Sequence, residues 1–196
     1  NTYTGPTILQ TGTIVLGLDD NVAGTYLEII NNGTTGIVEL EGTNQTVTGL
    51  SDRGNGGGFT KSIDNDGANP STITINTPAG EYFEYFANLR SGGNVINIVK
   101  IGVGEQVFAR TNPYAVTDTS FTVNAGTLGI GVGFPAGTEP VTVGAGGTFE
   151  VEGSFGMEVD VDGTFGPGIN GDADNDGISD EDDEDTTDES TVGLAT

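Results

Sequence analysis

Apolar and polar residues alternate with period two over most of the chain. In "STITIN" (Ser71–Asn76), Ile73 and Ile75 share one face and Thr72 and Thr74 the other. In "NVINIVKIG", Val95, Val99 and Ile101 lie on one side, Ile96 and Ile98 on the opposite side. "SFTVNAG" sets Phe121 beside Val123, and "GTLGIGVG" lines up Leu128, Ile130 and Val132. "PVTVG", "TFEVEG" and "MEVDVDG" continue the pattern. Successive side chains of a strand point to opposite faces, so each run predicts a short strand. Gly, Asn or Pro closes nearly every run and predicts a turn. No stretch carries apolar positions at helical spacing together with a cap. The predicted fold class is all-β.

One unit recurs. "GPTILQTGTIVLG" (Gly5–Gly17), "TSFTVNAGTLGIGVG" (Thr119–Gly133) and "EPVTVGAGGTFEVEG" (Glu139–Gly153) each place an apolar doublet before a small, glycine-bearing turn and a second alternating strand. A strand–turn–strand unit that repeats along a chain predicts a β-solenoid, in which each coil buries its inner face against its neighbours. Coils of roughly 20–25 residues are expected. The division that follows is a solenoid domain over 1–155, a terminal strand and Gly-rich linker over 156–170, and an acidic tail over 171–196.

These units resemble the autotransporter-associated β-strand repeat, also called the passenger-associated transport repeat. The opening "NTYTGPTILQTGTIVLG" carries the resemblance, followed in order by "VELEGTNQTVTGLS" (Val38–Ser51), "INIVKIGVGEQVF" (Ile96–Phe108), "FTVNAGTLGIG" and "PVTVGAGGTFEVEG". It covers roughly residues 1–155 and departs from the family's smaller residues at "GEYFEYFANLRSGG". The resemblance implies a right-handed parallel β-helix on a secreted or cell-surface bacterial protein. It implies a structural role in a stalk, adhesin or fibre, with no catalytic residues to carry over. The sequence opens inside a repeat, which is compatible with a piece of a longer stalk. It is equally compatible with a subunit whose first segment, with Asn1 and Tyr3, completes a neighbour's stack head to tail.

Charge narrows the partners. The formal net charge is -24, from 29 acidic and five basic residues. Such a surface repels nucleic-acid phosphates and anionic lipids and attracts cations. No apolar run approaches the ~20 residues of a membrane span. The chain has no Cys, His or Trp. That removes disulfides, thiol nucleophiles, the Ser-His-Asp triad and the usual ligands of zinc, haem and iron–sulfur centres. Carboxylates and carbonyls remain, and these suit calcium.

The densest candidate is "GDADNDGISDEDDED" (Gly171–Asp185). Asp172, Asp174, Asp176, Asp180 and Asp183 fall at relative positions 1, 3, 5, 9 and 12, with Gly177 at 6 and the Ile178 carbonyl at 7. This is the oxygen-ligand spacing of an EF-hand-type loop. Asp at the last position and the lack of flanking helices make it more similar to the aspartate-rich calcium repeats of thrombospondin type 3. The competing reading is a solvated acidic linker. Glu150, Glu152, Glu158, Asp160 and Asp162 form an acidic face, read as solvated, with a second cation site as the alternative. "SIDNDGANP" and "LDDN" read as acidic turns. In "EYFEYF", Tyr82, Phe83, Tyr85 and Phe86 put aromatics on both faces of a strand. One face fills the core, and the other is a self-association contact in preference to a sugar platform. A polysaccharide lyase or hydrolase needs a base beside bound calcium or paired carboxylates in a groove, and the scattered basic residues do not provide the first. The expectation is a non-enzymatic, self-associating, calcium-stabilised extracellular subunit. The alternative is a monomeric adhesin fragment binding glycan or a host surface. The sequons at Asn32 and Asn44 matter only in a source that glycosylates them.

Overall fold

A computed structural model describes residues 5–30, 35–53, 61–90, 92, 94–109, 119–131, 140–152 and 158–167. Among them are sixteen strands and no helix. The first coils each contribute strands on three faces. β1 (Thr7–Leu9), β3 (Tyr26–Ile30) and β6 (Gly49–Arg53) form one sheet. β2 (Gly12–Val15), β4 (Gly36–Glu39), β7 (Lys61–Asp64) and β10 (Asn88–Arg90) form a second. The third and largest sheet runs through β5 (Gln45–Val47), β8 (Ser71–Asn76), β11 (Ile96–Ile101), β13 (Thr119–Ile130), β14 (Val141–Val151) and β15 (Val159–Val161). A branch of it holds β9 (Tyr82–Glu84), β12 (Glu105–Phe108) and β16 (Thr164–Pro167). Every pairing between these strands is parallel, each strand lying against the equivalent strand of the next coil. The fold is the expected β-solenoid.

The register shows why alternation suffices to build it. One inward column reads Gln45, Ile73, Ile98, Phe121, Val141 and Val159 over five turns. The chain advances 28 residues on the first of these turns, then 25, 23, 20 and 18, so the coils shorten along this column. A neighbouring column joins Gln106, Leu128, Phe149 and Phe165. The stack of Phe149 on Phe165 has ring centroids 6.0 Å apart at 24°. Tyr85, Phe108 and Phe121 meet edge to face in the core. The two strands at the end of the ladder, β15 and β16, pair in register with β14, so stacking continues to Pro167. Outward rows are polar: Asn97 Nδ2 donates to the Ser71 carbonyl at 3.3 Å, and Ser120 Oγ donates to Asn97 Oδ1 at 2.7 Å.

Polar residues also occupy inward positions, and two of them, Asn65 and Lys100, have several partners that offset their desolvation. Asn65 is fully buried and ties three coils. Its Oδ1 accepts from Gly42 N at 2.9 Å, and its Nδ2 donates to the carbonyls of Asn69, Asn94 and Val95. Lys100 stands in the column Val47, Ile75, Lys100, Val123, Val143. Its Nζ donates to the carbonyls of Ile101 and Gly102 at 2.9 Å each, and to Ala125 at 3.4 Å. The turn it fills is closed by Gly126 at φ 68°, where a Cβ would come within 2.9 Å of Nζ and 2.3 Å of the Gly102 carbonyl oxygen.

Two outcomes follow. Burial pushes the Lys100 ammonium from 10.5 down to about 8, against a raising effect of Glu105. Between those values the unfolded chain holds the proton more tightly, so wild-type stability gains from this residue as pH rises from about 8 to 10.5. In Lys100→Met that gain is absent, and urea unfolding at the two ends of this pH range reads it directly. Gln106 donates from Nε2 to the Leu50 carbonyl at 3.0 Å and accepts from Leu50 N at 2.8 Å. Gln106→Leu leaves both buried backbone groups without this partner and costs about 3 kcal/mol, measured from the urea midpoint.

Candidate functional site

Among the described residues, the ladder is interrupted at a seam between β6 and β9. β6 is the outer strand of its three-stranded sheet, and β9 pairs with β12 on the far side. The next strand on this face after β6 is β9, so the coil rise is not closed there by backbone pairing. The Gln106 side chain does that work instead: its amide mimics a peptide group toward Leu50 and also donates to the Phe83 carbonyl at 3.3 Å. The ring of Phe83 then lies over Gly49, where a Cβ would meet it at 2.2 Å. Only glycine leaves room for this seat. Tyr26 packs on Phe83 with centroids 5.5 Å apart and planes at 41°.

Outside this seam opens a groove of about 620 Å³, lined by Tyr26, Thr48, Ser51, Asp52, Pro78, Glu81, Tyr82, Phe83 and Glu84. Its walls are aromatic and its polar groups are hydroxyls and carboxylates. Tyr82 donates its hydroxyl to Glu84 Oε1 at 3.3 Å. Burial raises the Tyr82 phenol well above its ordinary value, and the charges of Glu84 and Glu105 add to that. Burial likewise raises the Glu84 carboxyl; the Tyr82 bond opposes this and the charge of Asp52 reinforces it. Asp52 sits at the floor. Its column is Leu9, Ile29, Asp52, so strand phase turns it inward. There Oδ1 accepts from the Phe86 N–H and Oδ2 contacts Lys61 Nζ. Lys61 is turned inward by the same rule, two residues before the fully buried Ile63. Aromatic faces beside carboxylates and hydroxyls suit a polyhydroxylated or cationic ligand.

The structure separates the sequence candidates. Tyr82 and Phe86 are exposed, at 45% and 48%. Phe83 is half-buried and forms the groove wall. Tyr85 corrects the expectation of a surface contact: it is buried to 1%, its hydroxyl donates to the Asn88 carbonyl at 3.1 Å, and its ring packs on Phe108. Phe83, Tyr85 and Ala87 keep one strand phase through the corner between β9 and β10, and that phase faces inward, so Tyr85 and Ala87 are buried while Tyr82 and Phe86 stay outside. Asn1, Tyr3 and the loop residues Asp172, Asp174, Asp176, Ile178, Asp180 and Asp183 lie outside the described residues. Among the described residues, no group of three or more acidic side chains is placed to hold a metal.

The acidic face is not a carboxylate stack. Glu150 lies between Gly129 and Gly166, and Asp160 opposes Thr142. In "SIDNDGANP" Asp66 is exposed in the turn, whose Asp66 N–H is accepted by Glu39 Oε1 at 2.8 Å, while Asp64 closes β7 and is buried. The Asp52–Lys61 pair and Gln106 were not singled out in the sequence. A signal existed in the strand phase, since each stands two residues from an inward apolar position: Leu50, Ile63 and Phe108.

The raised Glu84 carboxyl carries a pH signature. The unfolded chain releases its proton near 4.5 while the folded chain holds it to higher pH. Glu84 therefore costs stability as pH rises from 4.5 through the raised value. Glu84→Gln removes that slope: relative to wild type, its urea midpoint improves between pH 4 and pH 7, whereas a pH-independent difference would refute the assignment. Comparison of the chain with protein-family models, curated proteins and solved structures finds no match.

Proposed function

We propose that this chain is a structural protein of the secreted or cell-surface class, a β-solenoid subunit that associates head to tail into a fibre or stalk stabilised by calcium. The observation that carries this reading is that each end of the described ladder is a short strand pair whose outer edge is unpaired among the described residues, β1 and β2 on two sheets, β15 and β16 both on β14. β1 and β2 are a three-residue and a four-residue strand joined by two residues, and β15 and β16 have the same lengths and the same spacing. Each end also exposes apolar side chains on those strands: Ile8 and Val15 on the first coil, Val161 and Phe165 on the last. A parallel ladder grows by adding a coil of the same plan, and a heterologous contact that repeats without closing makes a filament. The resemblance of residues 1–155 to the autotransporter-associated repeat supports a bacterial extracellular setting. In this reading the chain is not an enzyme. Calcium at Asp172–Asp183 offsets part of the -24 charge that opposes association.

A second reading rests on the groove beside Phe83. A monomeric, passenger-like adhesin would use it for an extracellular glycan, with the solenoid as spacer. The two readings separate in one experiment. Electron microscopy of the full chain in calcium is expected to show filaments that dissolve on addition of excess chelator. Single particles under both conditions refute the fibre, and glycan-array binding lost in Phe83→Ala then establishes the second reading.

A further inference from the structure

We propose that Asp52 and Lys61 condense to an intramolecular isopeptide bond, a side-chain amide that ties β6 to β7 at the floor of the seam. The two groups are in direct contact, Lys61 Nζ against Asp52 Oδ2. Their side chains are exposed to only 5% and 1%. Both are turned inward by strand phase, among apolar columns rather than at the surface. A buried ion pair gains little over its desolvation cost, and the contact already sets the amine nitrogen against the carboxyl group it would attack.

The surroundings supply what the condensation needs. The Phe86 N–H points at Asp52 Oδ1, the oxygen on which charge grows when the carboxyl carbon is attacked. Glu84 lines the same groove as Asp52 and feels its charge. It retains its proton to higher pH than an ordinary glutamate, and so serves to carry protons beside the pair.

The step balances within the chain. One proton passes from the Lys61 ammonium to the Asp52 carboxylate. The free Nζ then attacks Asp52 Cγ and forms the N–C bond. The Cγ–Oδ2 bond breaks, a proton from Nζ reaches that oxygen through Glu84, and one water leaves. Oδ1 remains as the amide carbonyl, still accepting from Phe86 N–H. No oxidant or cofactor enters. The chain has no Cys, so this amide would be a covalent tie that needs no disulfide. It closes residues 52–61 into a covalent ring.

Sequence makes the test direct, because Arg53 stands between the two partners. The full chain, verified as folded by a cooperative melt, is weighed intact and then denatured and digested with trypsin. The expected mass is short by one water, and the digest joins residues 1–53 to residues 54–90 as one branched product uncut at Lys61. Lys61→Arg keeps a cation opposite Asp52 but offers a poor nucleophile, so it should show full mass and a free 1–53 peptide. On refolding, Glu84→Gln should form the amide more slowly by on the order of a hundredfold, while its β-sheet circular dichroism recovers at the wild-type rate. Full mass in the wild type reduces the pair to a buried ion pair and overturns the proposal. A missing water with separate peptides places the loss at an Asp-Gly succinimide and overturns it equally. Amide formation at the same rate in wild type and Glu84→Gln overturns the role given to Glu84.

Discussion

Everything in this molecule depends on the hydrogen bonding of each coil to the coils on either side. A single coil has neither a hydrophobic core nor partners for its backbone; both come from stacking. Parallel pairing fixes the register, and register fixes which residue of every strand points inward. Ile73, Ile98, Phe121 and Val141 therefore form one column although they are far apart in sequence. The same rule brings polar residues inside whenever the phase demands it. Lys100, Gln106, Asp52 and Lys61 are inward by position, and the fold accommodates them by giving each polar partners.

The seam between β6 and β9 shows what happens when a coil departs from the repeat. The coils there are the longest, with an advance of 28 residues from Gln45 to Ile73. Backbone pairing lapses, and the Gln106 amide takes its place toward Leu50 and Phe83. The lapse leaves the space that becomes the groove. Phe83 can fill its inner wall only because residue 49 is glycine. The irregular coil is thus the source of both the weakest pairing and the concave surface.

The alternation of apolar residues made the fold class legible, and the recurring strand–turn–strand unit made the solenoid legible. Coil length was legible less well: the expected 20–25 residues lies inside the observed spread of 16 to 28, but the lengthening from 20 in the first coil to 28 and the shortening after it have no local signal. The aromatic run was legible only in part. Period two separates Tyr82 and Phe86 from Phe83 and Tyr85, and this phase carries through the corner after Glu84; which face meets the core is not encoded in the run, because each face carries one Tyr and one Phe. Reading "GLSDR" and "KSID" for composition hides Asp52 and Lys61 among surface-type residues. Reading them for phase from Leu50 and Ile63 puts both in the interior. Their contact is a property of the corner between two sheets, which residue spacing alone does not encode.

The position of that contact explains why it matters mechanically. A pull along the solenoid axis is borne by inter-coil hydrogen bonds, which share the load wherever the ladder is continuous. At the seam β6 has no backbone partner in β9, so load concentrates on the Gln106 amide and on the Asp52 carboxylate, which holds Phe86 N–H across the gap. Lys61 fixes Asp52 from the adjoining face, and through its carbonyl it also accepts from Asn88 Nδ2 in the next coil at 3.2 Å. The pair therefore joins β6, β7 and the turn before β10 into one unit at the place where the backbone does not. An ion pair there yields when water enters, since solvation replaces the attraction. An amide does not, so it would hold the Asp52 acceptor in place for the Phe86 N–H, the contact that crosses the gap.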